Sequence, residues 1–407
     1  MKLLRVAWIC HFSNVEIQNR INPKKKINEF APWITKGIEE VKKRDDIELF
    51  VVSPHRWIDK EVNFTEDNIH YYFFNSGIPY YGRHWPGFFR LDLLTNFSVN
   101  KWKVKRIINR IKPDIIHLHG IENSYYSSTI LQFINKYPIL ATVQGFISHQ
   151  ISKDITSKEF SKRVFTEKKI LRMLTNFGVR TTNIMNEILD SNPRANIYWH
   201  EYFVNIPNIE EAGTLESEKI YDLIYFARIS KEKGVEDFIK LTGRLCKQYP
   251  NLKTVIIGGA NESYIKKLKK LAIDNQCSSA IDFQGFLPTQ NDVYHILKKS
   301  KICVLPTYND IIPGTIIESM FRKIAVVSYE TGGIPDINRD EENILLSKQG
   351  DLDSLLSNIQ SLLDSSEKRI EMANRAYNYA VKRWSNVKAM HDIVNAYKNI
   401  IKDEINK

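Results

Sequence analysis

KICVLPTYNDIIPGTIIESM, residues 301–320, reads as a strand, a loop and a helix start in succession. KICVLP is a short apolar run ended by Pro306, as in a strand buried on both faces of a parallel sheet. Pro313 and Gly314 stand where a helix begins. Asp310 falls in the loop and Glu318 about one turn inside the helix. The first N–H groups of a helix have no intrahelical partner, so Gly314, Thr315 and Ile316 offer donors to an anion without using a charged side chain. On spacing alone, Asp310 is equally a turn residue and Glu318 a partner of the helix dipole, worth about 0.3–1 kcal/mol.

Outward from this stretch the same unit repeats. In the first half, KLLRVAWI, IELFVVS, NIHYYFF, PDIIHLH and PILATVQ read as strands, with helical patterns over residues 27–43, 97–111, 124–135 and 158–175. PNIEEAGTLESEKI, residues 207–220, is polar and acidic without apolar period, as in a linker. The alternation then restarts with YDLIYFA, TVIIGG, IDFQG, KICVLP and IAVVSY, separated by helical patterns that include residues 235–248, 262–274 and 290–299. This is an α/β chain of two doubly wound, Rossmann-like domains, over residues 1–207 and 220–383 with a linker at 208–219. Residues 384–407 form a closing helix with Trp384, Val387, Met390, Ile393, Val394, Tyr397, Ile400 and Ile401 in one stripe. The stripe is expected to cover its own domain or to cross back to the first. Ligands of open parallel sheets bind beyond the carboxyl ends of the strands, so two such edges facing each other would enclose one cleft.

Composition narrows the class. With 43% apolar and 26% charged residues among 407, the chain is ordinary globular protein rather than disordered. Cys10, Cys246, Cys277 and Cys303 are scattered, with no CxxC, which argues against a disulfide framework or a zinc site and fits a cytoplasmic protein. No apolar stretch approaches the ~18 residues that cross a bilayer. Net charge is +11, concentrated in Lys24–Lys26 and in NKWKVKRIINRIK, residues 100–112, where Trp102, Ile107, Ile108 and Ile111 recur at roughly helical spacing. That basic helix is a solvated surface face or a dock for anionic lipid headgroups. No nucleic-acid-binding signature accompanies it, so nucleic acid is not an expected partner. Asp351 and Asp353 form a D-x-D that opens an apolar-periodic helix, where it reads as a cap rather than a metal site.

One more loop carries chemistry. In YFARISKEKGVEDF, Arg228 and Lys233 lie between a strand and a helix, where two cations suit a diphosphate. Arg228 with Lys233 resembles the G-R-L-x-x-x-K-G motif, and Asp310 with Glu318 the E-x7-E motif, of glycosyltransferase family 4, the retaining nucleotide-sugar enzymes of GT-B fold. VIIGG, IDFQGF, TGGIPDI and EENILLS are similar to the family's surrounding segments, and PDIIHLHG and ATVQGF to its weaker N-terminal ones. GVRTTN and SNPRANIYWHE, with Arg180, Asn192, Pro193, His200 and Glu201, resemble a subset acting in bacterial surface-polysaccharide assembly.

The resemblance implies that Arg228 and Lys233 hold the donor diphosphate, Glu318 binds the ribose, and Asp310 faces the transferred hexose. It further implies backbone donors at Gly314, Thr315, Ile316 and Ile317, a sugar contact at His119, and no metal or other cofactor. The chain departs from the family pattern at Asp310, one methylene short of Glu, and at Gln144, where the family often has His. CHFSNVEIQNRINPKKK, after the first strand, lacks the family's glycines. The expected activity is retaining transfer of a hexose to a saccharide or lipid-linked acceptor, by a protein at the inner face of a membrane. The alternatives are a catalytically silent sugar-nucleotide-binding subunit and another GT-B enzyme such as an epimerase.

Overall fold

The computed structural model describes residues 3–27, 30–76, 91–149, 158–206 and 218–406. The chain divides into two compact units, Met1–Val204 with Trp384–Lys407, and Asn205–Arg383.

The first unit holds β1 (Leu4–Ile9), β2 (Ile47–His55), β3 (Val62–Glu66), β4 (Ile69–Asn75), β5 (Ile115–His119), β6 (Ile139–Thr142), β7 (Asn176–Val179) and β8 (Asn196–Trp199). They form one sheet in the order β3-β4-β2-β1-β5-β6-β7-β8. Every pairing is parallel except β3 with β4, a hairpin at the sheet edge that the alternation rule does not anticipate. The chain leaves β1 toward β2 on one side and returns to β5 on the other, so the strand order reverses between β1 and β5.

The Gly-free segment after β1 contains a helix, Val15–Ile21. Asn14 caps it by accepting from the Ile17 N–H, and Ile17 and Ile21, four apart, enter the core. The closing helix, Asn386–Ile405, belongs to this unit. Met390, Ile393, Val394, Tyr397 and Ile400 join a core with Trp8, Ile34, Ile38, Val51 and Phe73. Each such buried side chain contributes roughly 1.5–3 kcal/mol. Val387, counted in the stripe, is 70% exposed instead.

The basic helix runs Ser98–Ile111 and buries Asn100, Val104, Ile107, Ile108 and Ile111. Trp102 is not on that face: it is exposed, with the Arg106 guanidinium 5.2 Å over its ring. Much of the basic charge is engaged. Arg106 and Arg110 donate to Glu61 at 2.6 and 2.8 Å, Lys103 donates to the Asn75 carbonyl, and Lys24 pairs with Asp59.

The second unit holds β9 (Tyr221–Phe226), β10 (Thr254–Ile257), β11 (Ile281–Gly285), β12 (Ser300–Leu305), β13 (Ala325–Tyr329) and β14 (Leu345–Ser347). Its order is β11-β10-β9-β12-β13-β14, all parallel, and it reverses between β9 and β12. The quoted stretch is thus central: β12 is a middle strand, and the helix it leads into spans Gly314–Met320. The D-x-D behaves as a helix start, with Asp351 accepting from the Ser354 N–H at 3.0 Å and Asp353 pairing with Arg244.

Candidate functional site

In a doubly wound sheet the crevice opens where strand order reverses. In the second unit that point is flanked by the loops after β9 and β12, which carry Arg228, Lys233 and Asp310. The two loops are fastened to each other. Lys233 Nζ donates to the Asn309 carbonyl at 3.0 Å and pairs with Asp310 Oδ2, and the Tyr308 N–H donates to the Glu232 carbonyl at 2.8 Å. Gly234, at φ +74°, lets the loops meet: a Cβ there would lie 1.8 Å from the Pro306 carbonyl oxygen. Beneath them Asp237 is buried and accepts from Tyr308 Oη at 2.5 Å and Tyr329 Oη at 3.1 Å. Asp237, Tyr308 and Tyr329 carry no sequence signal, because what they position is a loop rather than a ligand.

Arg228 stands apart from the braced pair. Its side chain is 69% exposed, with Glu232 3.7 Å away. The helix start differs in part from the sequence expectation. The N–H groups of Ile316 and Ile317 both reach the Pro313 carbonyl, at 3.0 and 3.4 Å, and both side chains are buried in the core. Gly314 and Thr315 are left as the donors ahead of the first helical bonds, and Thr315 Oγ1 ties this start to the end of β9 by donating to the Phe226 carbonyl at 2.9 Å. Glu318, one turn further on, accepts from Gln290 Nε2 at 3.1 Å. Burial raises its carboxyl above the usual range, with Arg322, Tyr294 and Gln290 opposing.

His119 lies in the first unit, at the end of β5. It is buried, its ring centroid 3.8 Å from that of His117 and 4.5 Å from that of Trp8, and its Nε2 has no hydrogen-bond partner. Beside it runs a hydrogen-bond chain whose directions follow from its ends when both rings are neutral. His200 Nδ1 faces the Glu201 carbonyl, which can only accept, so Nε2 accepts from Thr142 Oγ1 at 2.8 Å. Thr142 therefore accepts from His117 Nε2 at 2.7 Å, and His117 Nδ1 accepts from Tyr397 Oη at 2.6 Å. Tyr397 in turn accepts from Trp8 Nε1 at 2.9 Å. With both histidines neutral, every donor in the chain meets an acceptor. Burial, then the neighbouring histidines and Arg180, push His117 and His119 far below the usual histidine range, and burial with Arg180 brings His200 down to about 3. Gln144, in the loop after β6, also leaves its Nε2 buried without a partner, while His149 faces Glu187 at 3.0 Å.

Residues 208–379 match the family model of glycosyl transferases group 1. The match covers most of the second unit, with its two interlocked loops, and it supports a place in the glycosyltransferase superfamily. An uncharacterized glycosyltransferase of Haemophilus influenzae is 25% identical over 222 residues, which is 52% of this chain and 61% of that protein. Among solved structures, sucrose-phosphate synthase from Thermosynechococcus elongatus superposes with a TM-score of 0.76 at 13% identity, over 98% of this chain and 100% of that one. The Escherichia coli trehalose-6-phosphate structure bound with UDP-2-fluoro glucose gives 0.69 at 13% identity, over 97% and 99%. At such identity the likeness is one of fold, and the fold is GT-B.

Proposed function

We propose that the chain is a retaining glycosyltransferase that moves a hexose from a nucleotide-diphosphate sugar to a saccharide or lipid-linked acceptor in bacterial surface-polysaccharide synthesis. The reading rests chiefly on one observation: Lys233, Asp310 and Arg228 stand at the switch point of the very unit that matches glycosyl transferases group 1. Arg228 and Lys233 take the diphosphate, helped by the Gly314 and Thr315 N–H groups. Glu318 takes the ribose hydroxyls and Asp310 faces the hexose, and His119 is a sugar contact of the first unit. Leaving-group charge develops on the β-phosphate, where fixed cations stabilise it, and the reaction proceeds without a metal or other cofactor.

Thermal-shift measurement against UDP-, GDP- and ADP-sugars tests the donor. A donor at about a hundred times its dissociation constant adds about 2.7 kcal/mol of stability, and no shift with any of them sinks the reading. The Lys233–Asp310 ion pair favours one rival, a sugar-nucleotide-binding subunit without turnover, since the cation is already neutralised. Product analysis of donor with acceptor separates transfer from silent binding and from epimerisation.

Peripheral attachment to an anionic membrane at the cytoplasmic face completes the proposal. No helix among the described residues is long and apolar enough to cross a membrane. Exposed Trp102, with Lys101 and Lys105 on the same helix, would make the contact. Rising salt should then release the protein from anionic vesicles, and binding that ignores salt argues against it.

A further inference from the structure

The switch point of the first sheet, between β1 and β5, carries a carboxylate with one oxygen buried and unpaired. Glu122 lies three residues past the end of β5 in a turn whose carbonyls are fixed by side chains. Tyr126 Oη donates to the His119 carbonyl at 2.9 Å, Ser127 Oγ to that of Ile121 at 3.0 Å, and Arg163 Nε and Nη2 to that of Glu122 at 3.1 and 3.0 Å. Gly120, at φ +91°, clears the space. A Cβ there would lie 2.8 and 2.9 Å from the two Glu122 carboxylate oxygens. The turn is thus built around this carboxylate, and the Arg163 guanidinium is spent on the backbone rather than on it.

Glu122 Oε2 is nevertheless buried without a hydrogen-bond partner, as are His119 Nε2 at the end of the same strand and Gln144 Nε2 at the end of the neighbouring one. Native proteins seldom leave a buried carboxylate oxygen unpaired. A buried acceptor, with an unpaired ring nitrogen at the end of the same strand and an unpaired amide past the end of the neighbouring one, suits neutral hydroxyls, which both donate and accept, and suits a phosphate poorly because its charge repels the carboxylate. Burial pushes the Glu122 carboxyl up to about 7 and Glu167 adds to the rise, while its own N–H, Arg163 and the Ile121 N–H pull it down.

We propose that Glu122 is a hydroxyl-binding residue: its Oε2 accepts from a hydroxyl of a sugar held at the first switch point, in the transferase reading the acceptor sugar. Only the word acceptor rests on that reading; recognition of a sugar hydroxyl stands without it.

The test uses the full chain and three probes, the methyl α-hexopyranosides of glucose, mannose and galactose, observed by saturation-transfer-difference NMR. At least one should be saturated by the wild type. Glu122→Ala should weaken it by roughly tenfold, the scale of a lost hydrogen bond to a charged group. Glu122→Gln, which keeps an uncharged acceptor, should fall between. No saturation with any probe, or equal saturation of wild type and Glu122→Ala, overturns the proposal. If Glu122→Ala does not fold, Glu122→Gln decides alone: wild-type binding overturns and weaker binding supports. UDP and GDP thermal shifts on the same samples keep the two readings apart. Hexoside binding that depends on Glu122 in a chain that binds no nucleotide would sink the transferase and leave this site standing.

Discussion

The two sheets reverse at equivalent points and equip them oppositely. At the β9/β12 point the loops carry Arg228 and the Lys233–Asp310 pair, and each loop is tied to the other. At the β1/β5 point the unpaired buried atoms belong to His119, Glu122 and Gln144, the Arg163 guanidinium is engaged on the Glu122 carbonyl, and burial holds the neighbouring histidines neutral. One edge is charged to meet charge; the other presents uncharged donors and a lone acceptor. The same topology therefore sets where a ligand lies, and side-chain electrostatics set which kind.

The largest effect that could break this contrast is on turnover. Arg228→Ala should lower kcat by about two orders of magnitude, since a fixed donor to a developing oxyanion is worth roughly 2.7–4 kcal/mol. Unchanged melting would show the fold intact, and near-wild-type rates would remove the phosphate role. Next comes Gly234→Ala, which forces a side chain into the Pro306 carbonyl at positive φ. It should cost about 1–3 kcal/mol in urea unfolding and weaken nucleotide binding, because it parts the two loops. Nucleotide affinity that survives the change would mean the bracing has no bearing on the site.

Tyr397→Phe sharpens the contrast from the other side. It strands Trp8 Nε1 and His117 Nδ1 in the core, so unfolding free energy should fall by about 1–3 kcal/mol while nucleotide binding holds. The smallest expected effect is a null one, seen by NMR. The ring signals of His117, His119 and His200 should not titrate between about pH 8 and 5.5, and a midpoint inside that range would contradict the directional chain. The sign for stability follows. These groups bind protons less readily folded than unfolded, so they leave stability untouched above about 6.5 and erode it as pH falls below that, for His200 down to about 3. Glu122 and Glu318 act in the reverse sense, since a raised carboxyl takes its proton earlier in the folded chain and gains stability as pH falls toward its unfolded value.

Much of this was legible beforehand, and the failures share a cause. Long periodic segments gave their helices closely, as at Glu262–Asp274, because amphipathic period and burial agree there. Asp310 and Lys233 were readable as site candidates because a motif marks them, but their mutual pairing was not, since it joins residues 77 apart. The helix Val15–Ile21 was hidden by its shortness, although Asn14 followed by Ile17 and Ile21 was its signal. Trp102 misled because an aromatic at helical spacing looks like core, while Val104 and Asn100 take that face. Tyr397 was legible as a member of the closing helix's apolar stripe but not as a hydrogen-bond partner of Trp8 and His117, and Glu122 had no local pattern, since these partners lie far away in the chain.

The chain leaves the first unit at Val204 and returns to it at Trp384, where Asn386 bonds both the Val204 N–H and its carbonyl at 2.9 Å. During synthesis this inverts the order of completion. The first unit begins on the ribosome earliest, yet Trp8, Ile34 and His117 wait for Met390, Ile393 and Tyr397 before their core closes. The second unit, made later, has all its strands in hand by then and can fold first. A ribosome stalled near residue 383 would thus release a nascent chain with a finished second half and an open, sticky first one, the form that a chaperone would need to meet.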